Sequence, residues 1–257
     1  MTQDRFALVT GGSTGIGRCL AQLAAEDGHD LLIVSDDSGI TRMDDLSKTG
    51  VAIETLSADL SMQEGVDALL DRLGPRCPDL FFANAGRGLG RSFLEQDPDD
   101  ILKVLGTNVL GTTMLTHEIA GRMVRRGSGR ILMTGSIAGN MPGTFQAVYN
   151  ATKAYVNSLA AALARELEGT GVTVTCLEPG PTETQFFQRA GMCDTPVGQG
   201  PKDDPEMVAR AGYEALMSGR PEVVSGWKNK AQAAMSHITP KAVLAGLHRK
   251  MAKPQDE

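Results

Sequence analysis

The sequence has few cysteines and none in clusters. Cys19, Cys77, Cys176 and Cys193 lie far apart in a chain of 257 residues. That spacing excludes the paired ligands of a structural zinc site and the close pair of a thioredoxin-like centre, and it points to a reducing compartment. Long hydrophobic runs are also missing. The opening MTQDRFALVTGG reaches its glycines before a secretory segment could be built, and no later run has membrane-spanning length. The expectation is a soluble, cytoplasmic protein with no transmembrane association. A positive excess is absent too. Thirty-one acids against 25 bases give a formal charge of -6, without the broad positive field that nucleic-acid binding exploits. Arg122, Arg125, Arg126 and Arg130 form a local basic run, read as a solvated helix end followed by a Gly-Ser turn. His237 and His248 stand apart, so no metal is expected. There is no internal repeat or long polar linker, and residues 1–257 read as one domain.

What is present alternates. Phe6 to Val9 is a short apolar strand, followed by helical spacing through Ile16, Leu20, Leu23 and Ala24, with Gly28 ending the helix and Leu31 to Val34 forming a second strand. Strands are then predicted over Val51 to Leu56, Leu80 to Ala83, Arg130 to Thr134 and Val172 to Leu177. Helices are predicted over Glu64 to Leu73 and Tyr149 to Leu167. Asp97-Pro98 reads as the N-cap and first-turn proline of a helix running toward Arg125. Short strands separated by helices call for a doubly wound, mostly parallel α/β sheet covered on both faces. Residues 185–204 read as a substrate loop within the longer segment from Gly180 to Asp204. Residues 227–257 read as a C-terminal extension, where a helix near Lys241 to Met251 is taken as a modest amphipathic surface helix that leaves packing across a subunit or contact with a membrane open.

The run TGGSTGIG from Thr10 to Gly17 places Gly11, Gly15 and Gly17 where the first strand turns into the first helix. Missing Cβ atoms there permit a tight turn and the approach of a pyrophosphate to the helix amides. The spacing departs from the common G-x-G-x-x-G form. Asp36, just past the second strand, is placed to accept from an adenosine ribose and to repel a 2′-phosphate, which favours NAD(H). An ordinary acidic loop, with Asp37, Asp44 and Asp45 nearby, is the competing reading, and Arg42 is a possible phosphate partner. Asp59-Leu60 and Asn84-Ala85-Gly86 end strands on the same side, where plain turns compete with cofactor contacts.

Tyr149 and Lys153 are four residues apart on one helix face, a spacing that lets the ammonium favour tyrosinate and makes the phenol a usable acid or base. Ser136 follows an apolar strand, at the end of the sheet where ligands gather, and can hydrogen-bond a substrate oxygen, with a turn or cap serine as the competing reading. Asn108 is an indifferent helix former, which leaves three roles open: a solvent-facing side chain, a kink, or a water held beside Lys153. Phe186, Phe187 and Met192 suggest one pocket wall and Met141 a further contact, with simple core packing as the alternative for the aromatics.

Taken in order, TGGSTGIG, Asp59, Asn84-Ala-Gly86, Asn108, Ser136, Tyr149-Asn-Ala-Thr-Lys153 and the run PGPTET from Pro179 to Thr184 resemble the classical short-chain dehydrogenase/reductase family over roughly Arg5 to Thr184. The resemblance implies a Rossmann-like fold and a nicotinamide-dependent oxidoreductase that interconverts ketone and secondary alcohol. Tyr149 would be the acid or base, Lys153 would bind the nicotinamide ribose, Ser136 would hold the substrate oxygen, and Asn108 would support a water-linked proton relay. It implies cofactor contacts at Gly11, Ser13, Gly15, Ile16, Gly17, Asp59, Leu60, Asn84, Ala85, Gly86, Pro179, Gly180, Thr182 and Thr184, and a homodimer or homotetramer. This chain departs from the family at Thr14, where NADP-preferring members often carry a base, at Ser35, where NAD-preferring members often carry an acid, and at Ala83, the usual first asparagine of Asn-Asn-Ala-Gly. A small carbonyl or alcohol is the expected partner. A 3-oxoacyl thioester reductase, a non-catalytic nucleotide sensor or scaffold, and an epimerase or dehydratase are the competing functions.

Overall fold

The computed structural model describes residues 5–37, 40 and 46–254. The apolar runs form parallel strands because each is buried on both sides. β1 (Phe6–Thr10), β2 (Asp30–Ser35), β3 (Ile53–Ser57), β4 (Leu80–Ala83), β5 (Gly129–Thr134), β6 (Val172–Glu178) and β7 (Glu222–Val224) make one sheet in the order β3-β2-β1-β4-β5-β6-β7. Every pairing is parallel, with Leu8 beside Leu32 and Phe81. Successive residues of a strand serve opposite faces. Val9, Ile33, Phe82, Leu132 and Leu177 pack with α1 (Gly15–Glu26) and α8 (Pro205–Met217). Leu8, Leu32, Phe81, Ile131 and Cys176 pack with α2 (Gln63–Leu73), α4 (Thr112–Arg126) and α5 (Ala147–Glu166). This is the Rossmann-like, helix-covered sheet expected from the alternation. Chain direction across the sheet reverses between β1 and β4, which opens a crevice at their C-terminal ends.

The helix after Asp97 starts as expected. Its carboxylate accepts from the Asp99 amide at 2.8 Å and Pro98 fills the first turn of α3 (Pro98–Leu105). The helix then passes through a π-turn, Gly106–Gly111, before continuing as α4. The glycines at its ends explain the close approach to the loop after β3: a Cβ would come within 2.4 Å of the Ser61 carbonyl at Gly106 and within 2.3 Å of the Leu60 carbonyl at Gly111. Asn108 sits on this turn, 1% exposed, so its solvent-facing reading is wrong.

The arginine run is more than a solvated helix end. Arg122 donates to the Gly74 and Arg76 carbonyls, and Arg126 donates to those of Cys77 and Pro78 and pairs with Asp79. It therefore ties the end of α4 to the loop entering β4. The segment beyond β6 carries two short helices, α6 (Phe186–Arg189) and α7 (Pro196–Gln199). The tail forms α9 (Trp227–Ile238) and α10 (Lys241–Ala252). α10 also differs from a plain surface helix, since it buries Leu244, His248 and Ala252. The Thr144 hydroxyl donates to the Ala245 carbonyl at 2.9 Å, and His248 joins the Thr144 carbonyl (2.9 Å) to the Asn150 amide (3.3 Å). No described helix is long and apolar enough to cross a membrane.

Candidate active site

A cleft of about 600 Å3 runs along the C-terminal ends of the strands. Gly11, Ser13, Gly15, Ile16, Gly17, Asp36, Asp59, Leu60, Asn84, Ala85 and Gly86 line one part of it. Ser136, Met141, Tyr149, Lys153, Pro179, Gly180, Thr182, Thr184, Phe186, Phe187 and Met192 line the rest. Of the described residues assigned to the site from the sequence, Asn108 alone does not line it; it stands behind.

At the first turn, Gly11 and Gly15 adopt φ of 66° and 57°, a region that favours glycine. The space beside each glycine is already filled by protein. A Cβ on Gly11 would meet the Ala85 Cα at 2.8 Å, one on Gly15 the Thr184 Cγ2 at 2.8 Å, and one on Gly17 the Gly11 carbonyl oxygen at 2.2 Å. The turn is thus closed against β4 and against the PGPTET segment. Thr14, at the N-cap, makes no side-chain bond to the first-turn amides of α1. Those amides face the cleft as an anion cradle.

Asn84 braces the centre. Its amide group donates to the Thr10 and Gly11 carbonyls at 3.2 and 3.1 Å and its carbonyl accepts from the Thr134 hydroxyl at 3.1 Å, fastening the ends of β1, β4 and β5 together. The Thr10 hydroxyl in turn accepts from the Asn84 and Ala85 amides. Asn108 fixes the next step of the same segment: its Oδ1 accepts from the Arg87 amide at 2.8 Å, while its Nδ2 donates to the Arg87 carbonyl and to Thr152 Oγ1, both at 2.9 Å. Burial works against the charged Asp59 carboxylate, yet the Ser61 amide at 2.9 Å, with Arg87 and Lys103, holds it below the usual range.

Tyr149 and Lys153 project from the first turns of α5 and both are buried. The Lys153 ammonium donates to the Thr134 carbonyl at 2.7 Å, and burial pulls it down to about 8. Burial pushes the Tyr149 phenol up to about 12, with the Ser136 hydroxyl acting the other way. The phenol therefore keeps its proton at neutral pH. Ser136 Oγ caps a short 3-10 turn, Ile137–Asn140, by accepting from the Ala138 amide at 3.0 Å, and donates to the Pro179 carbonyl at 3.3 Å.

Ser136 is supported from behind. Asn157 accepts from the Ser136 amide at 3.2 Å and donates to its carbonyl at 2.9 Å and to Asn140 Oδ1 at 3.4 Å; Asn140 donates to Glu178 at 2.7 Å. Burial raises the Glu178 carboxyl to about 7; Asn140 opposes the rise and Glu222 on β7 adds to it.

The pocket wall combines near and distant segments. Phe186 lies 5.2 Å from the Tyr149 ring, centre to centre, and Phe187 packs edge-on to Phe186. Met192 closes against Gly90, where a Cβ would meet its Cγ at 2.5 Å. The cleft is also lined by residues that sequence reasoning did not place in the site, among them Gln146, Gln232, His248 and Met251. The i, i+4, i+8 recurrence of Leu244, His248 and Ala252 was a legible sign of a buried face, but not of what it faces. At the other end, Asp36 pairs with Arg87 and Asp37 with Arg189. Arg87, immediately after Asn84-Ala85-Gly86, was also unforeseen. Arg42, Asp44 and Asp45 lie outside the described residues. Among the described residues no group of His, Cys, Asp and Glu is arranged to hold a metal.

A glycine cradle at the sheet's crossover, continuous with a buried Tyr-Lys pair, defines a dinucleotide-binding oxidoreductase. A family model described as short chain dehydrogenase matches residues 5–192. The chain belongs to the short-chain dehydrogenase/reductase family. It is 31% identical to carbonyl reductase family member 4 of Danio rerio over 81% of this chain and 89% of that protein. Among solved structures, a short-chain dehydrogenase from Sphingobium yanoikuyae in complex with NADPH is 30% identical, with a TM-score of 0.77 over 92% of this chain and 96% of that one. A bulky-bulky ketone specific alcohol dehydrogenase from Comamonas testosteroni is 27% identical, with a TM-score of 0.75 over 91% and 93%.

Proposed function

We propose that the protein interconverts a relatively hydrophobic ketone and its secondary alcohol, with Tyr149 as the proton-transferring group. The observation that carries this reading is the buried Tyr149, which lines, together with Ser136 and Lys153, the same cleft that contains the glycine turn. In carbonyl reduction Tyr149 gives its proton to the substrate oxygen; in alcohol oxidation it takes that proton back. Ser136 positions the oxygen, and the Lys153 cation lowers the cost of the tyrosinate left behind. Asn108 acts at one remove, by holding Arg87 and Thr152 in register.

The residues present fit a nicotinamide dinucleotide: Gly11, Ser13, Gly15, Ile16 and Gly17 at the pyrophosphate, Asp36, Asp59 and Leu60 at the adenosine end, and Asn84, Ala85, Gly86, Lys153, Pro179, Gly180, Thr182 and Thr184 toward the nicotinamide. The bound cofactor supplies or accepts the hydride. Asp36 supports a preference for NAD(H), and its pairing with Arg87 offsets part of the repulsion toward a 2′-phosphate, so the preference is modest. Residues 185–204 serve as the substrate loop of a single domain. Met141, Phe186, Phe187 and Met192 favour an apolar substrate, in keeping with the names of the zebrafish reductase and the ketone-specific enzyme. Exposed Leu110, Met114, Val124 and Tyr155 on and beside α4 and α5 support a homo-oligomer, and the free, dispersed cysteines support a reducing compartment such as the cytoplasm.

A panel of ketones and secondary alcohols assayed with NAD(H) and NADP(H), followed by absorbance of the reduced cofactor, tests chemistry and cofactor choice together. The expected result is turnover on bulky apolar substrates, severalfold better with NAD(H). Tyr149→Phe should lower kcat by about 100-fold or more while cofactor binding persists. Undiminished turnover of that variant would remove Tyr149 from the mechanism. Cofactor binding without any hydride transfer would indicate a sensor instead, and product formation without net cofactor change an epimerase or dehydratase.

A further inference from the structure

The tail presents a second surface, outside the reaction centre. α9 turns Asn229, Ala233 and Ser236 inward and leaves Trp227, Met235 and Ile238 at 76%, 62% and 85% exposure. These three fall on one stripe, at i, i+8 and i+11. After the Thr239-Pro240 corner, α10 repeats the arrangement, burying Leu244 and His248 and exposing Val243 and Leu247 by about half. Trp227 is the chain's single tryptophan.

Charge on this segment runs against the rest of the molecule. Between Gly226 and Pro254 stand Lys228, Lys230, Lys241, Arg249, Lys250 and Lys253 and no acid, in a chain whose formal charge is -6. None of these bases has an ion-pair partner among the described residues. Lys228 lies over the Trp227 ring at 5.8 Å. An indole and aliphatic stripe flanked by unpaired ammonium groups matches the boundary between lipid headgroups and acyl chains.

We propose that the outer face of α9 and α10 docks the protein peripherally on an anionic lipid surface. A second copy of the chain is a poor occupant, because a two-fold contact would set the same unpaired bases against each other. A nucleic acid would pair the bases and leave Met235, Ile238, Val243 and Leu247 in water. Anionic lipid meets both halves of the surface: headgroups take the lysines and the acyl boundary takes the apolar stripe. The inner faces of the same helices supply Gln232, His248 and Met251 to the cleft. Docking therefore brings the substrate pocket near the bilayer, which matters for function if the substrate is lipophilic, a consequence that rests on the reading above. The docking itself does not.

Flotation of the full chain with vesicles of phosphatidylcholine alone, or of phosphatidylcholine mixed with phosphatidylglycerol, tests the inference, with Trp227 emission as an internal reporter. The expected result is co-flotation with the anionic vesicles only, a blue shift of the emission, and release by added salt. Reversing Lys228, Lys230, Arg249 and Lys250 to Glu should weaken partitioning by at least roughly 100-fold. Ile238→Ser with Met235→Ser should weaken it by about tenfold or more with the charges intact. Both variants should keep the parent's turnover of a water-soluble carbonyl. That assay reads the proposed chemistry separately, since flotation does not depend on turnover. Absence of flotation on anionic vesicles at low salt would overturn the inference. So would equal binding to neutral vesicles, or a blue shift that follows protein concentration without vesicles, the mark of self-association.

Discussion

The two ends of the cleft are built by different means. At the glycine end, contacts are between backbones and short side chains at adjacent strand termini: Gly11 against Ala85, Gly17 beneath the Gly11 carbonyl, Asn84 across β1, β4 and β5. At the end proposed to take the substrate, the wall is assembled from side chains of α5, α6 and the tail helix α10, which are far apart in sequence. The first end has almost no room to yield, because what would move is backbone. The second is lined by methionine and aromatic side chains that can take other rotamers. Substitutions at the first end should therefore abolish the site, and those at the second should retune it.

The most damaging single change should be Gly17→Ala. Its Cβ would fall 2.2 Å from the Gly11 carbonyl oxygen and 2.3 Å from the Asn84 amide nitrogen, so the turn and its brace must both shift. The expected result is a folded protein with a Tm lower by several degrees and cofactor affinity reduced by about 100-fold or more, read by thermal melts and cofactor titration. Wild-type affinity would show that this end is as pliable as the other. A smaller effect is expected from Met251→Trp at the tail. It should raise KM for bulky ketones by roughly tenfold and leave cofactor affinity unchanged, in steady-state kinetics over a substrate series. An equal rise in cofactor Kd would mean that the two ends are not separable.

The smallest effect concerns Glu178, behind Ser136 and between the two ends. Its folded pKa, about 7, lies above the ordinary value of 4.5, so the folded chain keeps a proton that the unfolded chain releases. The stability associated with that proton is fully present below the ordinary value and is lost as pH rises through about 7. Glu178→Gln cannot titrate, so its Tm should gain on the parent's by a few degrees between pH 5 and pH 8. A constant Tm difference across that range would show that the carboxyl does not titrate there. The Glu178→Gln pH profile of kcat should also flatten near neutrality if the Asn140-Asn157 chain transmits the charge to Ser136.

Legibility followed the same division. Asp97-Pro98 announced its helix because capping is a local matter of one side chain and one amide, and the short continuous apolar runs announced β1, β2 and β4 because burial on both faces favours apolar residues at every position. Tyr149 and Lys153 were readable as a pair because four residues is one helical turn. Asn108 was legible as an oddity but not as a buried clamp, since its partners Arg87 and Thr152 lie 21 and 44 residues away. The π-turn beneath it depends on the loop after β3 pressing on Gly106 and Gly111, which no local pattern encodes.

By itself, then, the chain's order of residues determined the alternation of strand and helix, the glycine turn and the Tyr149-Lys153 spacing, because each depends on periodicity or on neighbours within a turn. Only the tertiary structure decided that Asp36 faces Arg87, that Asn157 and Glu178 stand behind Ser136, and that α10 folds back so that His248 and Met251 reach the cleft. Those contacts join segments as much as 104 residues apart, and what selects them is the shape of the packed surfaces, which exists only once the sheet has formed.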